Sequence, residues 1–276
     1  MPLNFDLAGK TYLSRTITVT ADQIEAYAEA SGDDNPRHRV GADDQVASAV
    51  FAVVPGIVLA GSITTDPELN VENPLMIVHG EQAFDYHRPI RPGDSLVMTP
   101  VLESVEDKGK GATYVAKVSA ATPDGDPVVD QYWTIFVRGA GSGTERPRGE
   151  KPAPPDKGEV VAAFTQHVSV DMPPAYAKAS GDHNPIHLDD DVAKMVGLPG
   201  VINHGLGTLS LVAGGLVSRL ADGDPTRLRS LRCRFTDLVL PGSDIETTVW
   251  SSGDGYLFET TRPDGTAVVA GQLVVG

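Results

Sequence analysis

SGDHNPIH, Ser180 to His187, and SGDDNPRH, Ser31 to His38, are near-copies within one chain: six of eight residues match, at an offset of 149. Each copy keeps an aspartate and a histidine five positions apart, Asp182 with His187 and Asp33 with His38. A polar cassette repeated at this distance asks whether everything around it repeats too, because a missed repeat miscalls the whole fold.

Four landmarks recur in the same order. The cassette follows a helical stretch, ADQIEAYAEA in the first copy and VDMPPAYAKA in the second. A Pro-Gly pair with a small apolar run comes next, VVPGIVLAG at 53–61 and GLPGVINHG at 197–205. Then a strand runs into a turn, FDYHRPIRPGDSL at 84–96 and CRFTDLVLPGSDI at 233–245. Last, a Pro-Asp-Gly turn at 123–125 and again at 263–265 separates two alternating segments, which is a hairpin signal. The chain therefore reads as a duplicated domain. Gly139 to Glu159, GAGSGTERPRGEKPAPPDKGE, is dense in Gly and Pro and reads as an exposed linker. The expected units are a first domain at 1–138, a linker at 139–158 and a second domain at 159–276.

Each half reads as a short strand, a helix, the cassette, a second helix and three or four strands. In LRCRF, Leu231, Cys233 and Phe235 share one face while Arg232 and Arg234 share the other. LGTLSLVAGGLVSRL, 206–220, is apolar nearly all round, as a helix buried against a sheet should be. An α+β class with antiparallel sheet follows. Cys233, the only cysteine, reads as a small packed hydrophobe; it excludes an internal disulfide and suits a reducing compartment, the cytoplasm by default. No apolar run approaches the length of a membrane span, and the net charge of −15 argues against a nucleic-acid partner.

Within the second cassette, Asn184-Pro185 turns the backbone and Gly181 permits positive φ, so Asp182 and His187 sit on a rigid turn. Such a pair can orient a water and pass protons, although Asp and Asn at a helix entry also serve as plain caps. His183, His187, Asp189 to Asp191 and His204 are metal-capable types, but none stands in a metal-binding motif, and no metal is expected. INHG, ending at Gly205, stands directly before the apolar helix. Free N–H groups at a helix start, with a glycine that admits close approach, describe an oxyanion hole for a thioester.

Taken together, Gly-Asp-x-Asn-Pro-x-His, then His-Gly at a long apolar helix, then a Pro-Gly turn among strands resembles the MaoC-like (R)-specific enoyl-CoA hydratases. The resemblance covers essentially the whole chain and matches the fused double-hotdog type, two antiparallel sheets each wrapped around a central helix. It implies Asp182 and His187 as the catalytic pair, Asn184 and Gly181 holding the loop, His204 in support, and the Gly205 N–H receiving the thioester oxygen. The implied reaction is hydration of a trans-2-enoyl thioester to the (3R)-3-hydroxyacyl thioester, or its reverse, in fatty-acid metabolism. No cofactor is implied beyond the coenzyme A or phosphopantetheine of the substrate, which is carried by CoA or acyl carrier protein. A monomeric pseudo-dimer and a homodimer of such units both fit.

Asp33, Asn35 and His38 complete a second cassette, yet its surroundings differ. Arg37 replaces Ile186, Ala60 and Gly61 of VLAG align with His204 and Gly205, and Pro67 interrupts the segment that follows. A proline inside a helix costs about 3 kcal/mol, so a short or broken helix and a vestigial first site are expected. Arg88, Arg91, Arg232 and Arg234 are candidates for the carrier's phosphates. A hotdog thioesterase and a non-catalytic acyl-thioester binding protein are the competing readings.

Overall fold

The computed structural model describes residues 1–144 and 156–276, so most of the expected linker, 139–158, lies outside the described residues. The first half contains β1 (Arg15–Thr18), α1 (Ala21–Ala30), α2 (Val53–Thr64), β2 (Ile77–Tyr86), β3 (Ser95–Asp107), β4 (Gly111–Ala121) and β5 (Pro127–Arg138). The second contains β6 (Val160–Val168), α3 (Met172–Ser180), α4 (Asp190–Met195), α5 (Gly205–Leu220), β7 (Leu228–Phe235), β8 (Ser243–Ser252), β9 (Gly255–Thr261) and β10 (Ala267–Val275). No helix among the described residues is long and apolar enough to cross a membrane.

All ten strands form one antiparallel sheet, ordered β1-β3-β4-β5-β2-β7-β10-β9-β8-β6. Read outward from the β2–β7 seam, the order is the same in both directions, as a duplication requires. The register makes the symmetry concrete: Ala83 pairs with Arg232, its own counterpart at the offset of 149. Across this seam Arg232 binds Asp85 at 2.6 Å and Arg234 binds Glu81 at 2.7 Å. Arg88 pairs with Asp94, and Arg91 with Asp44. All four arginines considered for phosphate thus already hold carboxylates.

The alternation in β7 comes out as expected, with Leu231 and Cys233 buried and Arg234 exposed. Burial pushes the Cys233 thiol up to about 12, so it remains a protonated, packed group. Both Pro-Asp-Gly turns close hairpins, β4 to β5 and β9 to β10. Above the sheet lie two buried helices, α2 and α5. The helices α1 and α3 meet where Tyr27 and Tyr176, again 149 apart, bring their hydroxyls to 3.1 Å in full burial.

The first central helix is shorter than the second, but its register differs from the expectation. His38 Nδ1 bonds the carbonyl of Val46, and His187 Nδ1 bonds that of Ile202, so Val46 and Ile202 are equivalent. Counting on from them, Ser48 stands where His204 does and Ala49 where Gly205 does. Ala60 and Gly61 lie inside α2 and are not counterparts of His204 and Gly205. Tight turns from Ser48 lead into the helix (Phe51 N–H to Ser48 O, Val53 N–H to Val50 O). Pro55 falls in its first turn, where its missing N–H costs nothing. Pro67 lies beyond the helix end and starts a separate 3-10 turn. The Pro-Gly pairs misled because α4 is an insertion in the second half only, which shifts the local offset from 149.

Gly61 has nothing within 4 Å of where a Cβ would stand. Gly61→Ala is therefore expected to stabilise α2 by about 0.5–1 kcal/mol, read as a higher urea midpoint, with turnover unchanged. Loss of turnover would restore Gly61 to a substrate-facing position and contradict the register.

Candidate active site

The second cassette is built by α3 ending abruptly. Gly181, at φ 82°, caps the helix in the left-handed region and donates its N–H to Ala177 O. The Ser180 hydroxyl donates to Tyr176 O at 2.7 Å and accepts from Asp182 N–H at 3.1 Å. One Asp182 carboxylate oxygen accepts from Asn184 N–H at 3.2 Å, and the Asn184 side chain accepts from Ile186 N–H at 3.4 Å. Asn184 thus holds the 3-10 turn Pro185–His187. His187 is buried at its end and donates Nδ1–H to Ile202 O at 2.9 Å. A carbonyl only accepts, so the proton is on Nδ1 and Nε2 carries a bare lone pair.

INHG then brings His204 onto the cassette. The His204 ring stacks on His187 at 3.9 Å and leans on Tyr176 at 4.9 Å. Its Nε2–H donates to the Asp182 backbone carbonyl at 3.0 Å, while Nδ1 is buried without a partner. Burial, reinforced by repulsion from His187, pushes the His204 imidazole down to about 4, and burial also lowers His187. Both rings are neutral at pH 7. Asp182, His187 and His204 each bring one ligand-type atom within 4.8 Å of the others. No direct hydrogen bond joins the Asp182 carboxylate to the His187 ring among the described residues. This open arrangement leaves a place for a water between two acceptors.

Gly205 opens α5, so its N–H belongs to the unpaired first turn of a 16-residue helix. A Cβ there would stand 3.3 Å from the Phe235 ring. Phe235 in turn packs edge-on against His79, at 5.1 Å, and His79 stacks on Trp133 at 5.3 Å. His79 comes from the first half. Burial pushes it down to about 4, although the Asp182 charge is near enough to pull the other way. The site is therefore composite. Sequence reasoning missed His79; a half-to-half alignment at offset 149 would have found it, since its counterpart is the apolar Leu228.

Among the other metal-capable types, Asp189 caps α4, Asp190 pairs with Lys194, and His183 is exposed. They do not join the cluster.

The first cassette keeps its residues and loses this openness. His38 Nε2 contacts Asp33 Oδ2 directly at 3.1 Å, and Nδ1 faces Val46 O at 2.7 Å. Both ring nitrogens are occupied, and the pair is 1 % and 8 % exposed. The cassette is also engaged with α5. Asn35 donates to Gly223 O at 2.7 Å, Arg37 pairs with Asp224, and a Cβ at Gly214 would stand 3.0 Å from the Asp33 carboxylate. The first cassette closes around the far end of the helix whose near end carries Gly205.

The chain is similar to known proteins over most of its length. Residues 154–271 match the MaoC like domain, and residues 6–131 match a FAS1-like dehydratase domain region. The chain is 31% identical over 241 residues to a probable enoyl-CoA hydratase 2 of Dictyostelium discoideum, covering 85% of this chain and 82% of that one. It is 30% identical to the peroxisomal enoyl-CoA hydratase 2 of Arabidopsis thaliana, covering 95% and 90%. The crystal structure of a MaoC-like dehydratase from Phytophthora capsici superposes with a TM-score of 0.86 at 26% identity, covering 99% and 98%. With fold, duplicated cassette and whole-length relatives in agreement, the chain belongs to the MaoC-like hydratase and dehydratase family, in its two-hotdog form.

Proposed function

We propose that this protein is a hydro-lyase that adds water to trans-2-enoyl thioesters, giving (3R)-3-hydroxyacyl thioesters, and catalyses the reverse dehydration. The observation that carries the reading is the open Asp182–His187 pair beside the start of α5. The Asp182 carboxylate and the bare Nε2 of His187 accept the two O–H bonds of one water, so its oxygen lone pair faces the β-carbon. As that oxygen bonds the β-carbon, the π pair moves toward the α-carbon and the thioester oxygen gains charge. The Gly205 N–H, at the positive end of α5, stabilises that charge. The group that takes the water's proton returns it to the α-carbon, so atoms and protons balance without a redox step. His79 and Phe235 wall the pocket from the seam side.

The substrate carrier is coenzyme A or an acyl carrier protein, and a single chain supplies both halves of the site. The lone buried Cys233 suits a reducing compartment such as the cytoplasm, whereas the Arabidopsis relative is named as peroxisomal.

Purified protein given crotonyl-CoA should remove the conjugated enoyl absorbance without releasing thiol. Thiol release would replace the reading with a thioesterase, and loss of neither signal would replace it with a binding protein. The pH profile follows from the lowered histidines. Because burial disfavours protonation of His187, the base stays available below the ordinary imidazole value of about 6.5. A plot of kcat/KM should stay flat as pH falls through 6.5 and decline only on the acid side of it. An acid limb centred at or above about 6.5 would contradict the buried, neutral His187.

A further inference from the structure

Tyr27 and Tyr176 stand at equivalent places in the two halves and are wholly buried, yet their hydroxyls serve one half only. The Ser210 hydroxyl donates to Leu206 O at 2.7 Å, which uses its single proton. It can therefore only accept from Tyr27, at 2.8 Å. That uses the Tyr27 proton in turn, so the 3.1 Å contact between the phenols is a donation from Tyr176 to Tyr27. Burial raises both phenols, and each keeps its proton. The chain thus runs one way, from Tyr176 through Tyr27 and Ser210 to the Leu206 carbonyl in the first turn of α5.

The direction follows from a break in the symmetry. In the register that matches Ala49 with Gly205, Ser210 falls opposite Val54, so α2 presents no hydroxyl to the pair. Val50 O, the counterpart of Leu206 O, lies 3.5 Å from the Tyr27 oxygen, too far to compete with the 2.8 Å bond. Tyr176 also holds α5 by its ring. The ring leans on His204 with centroids 4.9 Å apart, and a Cβ at Gly207 would stand 3.4 Å from it. Ring contacts at 204 and 207 and the hydroxyl chain at 210 fasten the start of α5 at three points, each three residues from the last.

We infer that Tyr27, from the first half, is a positioning residue for the second-half site: through Ser210 and Tyr176 it holds the start of α5 so that the Gly205 N–H and the His204 ring keep their places beside the Asp182–His187 pair. Wholly buried, it acts on a substrate only through these groups. A donor stabilises a developing charge only when it already stands at the right distance, and a displacement of about 1 Å can cost about 10²-fold in rate. The effect on turnover rests on the hydratase reading above; the ordering of the helix start does not.

Two other buried phenols make no such link. Tyr114 shares a 2.6 Å hydrogen bond with Thr64, at the far end of α2, and Tyr86 donates to Ala49 O at 2.8 Å. Both bonds stay within the first half. Tyr114→Phe therefore serves as the control for the loss of a buried hydroxyl.

Crotonyl-CoA hydration and residue-resolved amide exchange by NMR are measured on the wild type, Tyr27→Phe, Ser210→Ala, their double variant and Tyr114→Phe. Tyr27→Phe and Ser210→Ala should each lose about tenfold in kcat per folded molecule, with KM within about twofold. The double variant should lose no more than the larger single loss, because both substitutions break one chain. In each variant of the chain the amides at 208–210 should exchange about tenfold faster relative to those at 214–220. Tyr114→Phe should leave kcat and this ratio unchanged. Full kcat in folded Tyr27→Phe, with only a lower urea midpoint, overturns the positioning role and leaves the hydratase reading standing. Additive losses overturn the chain as its route, and an unchanged exchange ratio in Tyr27→Phe overturns the ordering of the helix start. A wild type that hydrates nothing, with the expected exchange ratio in its variants, overturns the hydratase reading and upholds that ordering.

Discussion

The hydrogen bond from His187 Nδ1–H to the Ile202 carbonyl joins the parts of the site to one another. It ties the cassette, which ends α3, to the segment that delivers His204 and Gly205 to the start of α5. It also fixes the tautomer that leaves Nε2 bare, and with it the direction in which the ring can act as a base. Removing this bond would free both the cassette turn and the helix entry. The same bond exists in the first half, from His38 to Val46, and there it serves a different end.

That difference shows how a duplicated motif divides its work. In the second half the aspartate and histidine stay apart and a water can enter between them. In the first half they close on each other in a buried pair, and Asn35 and Arg37 fasten the turn to Gly223 and Asp224 after α5. In the proposed reading Asp33 and His38 brace the helix that presents the opposite site. The two cassettes share their aspartate and histidine and differ in one contact of 3.1 Å, on which the proposed division of activity rests.

Much of this was legible before any coordinates. The cassette pair, the hairpin turns, the alternation in β7 and the apolar run of α5 each follow from local chemistry, and together they imply the two-hotdog layer. The register of α2 was not legible, because Pro55-Gly56 resembles Pro199-Gly200 while sitting inside a helix rather than before one. Only the carbonyls that accept from the two cassette histidines reveal that Ser48 matches His204. His79 was hidden for another reason. It reaches the site by strand pairing across the seam, and single-chain periodicity carries no sign of which half a strand will face. The closure of Asp33 on His38 is a distance, which no pattern of residue types encodes.

The central claim is that chemistry resides in the open pair and that the closed pair is structural. Steady-state hydration of crotonyl-CoA by Asp182→Asn and Asp33→Asn, each checked for native fold by circular dichroism, tests it most directly. Asp182→Asn should lose about 10²-fold or more in kcat, whereas folded Asp33→Asn should keep kcat within about threefold and lose stability instead. Near-normal turnover by Asp182→Asn, with loss in a folded Asp33→Asn, would place the active site in the other half.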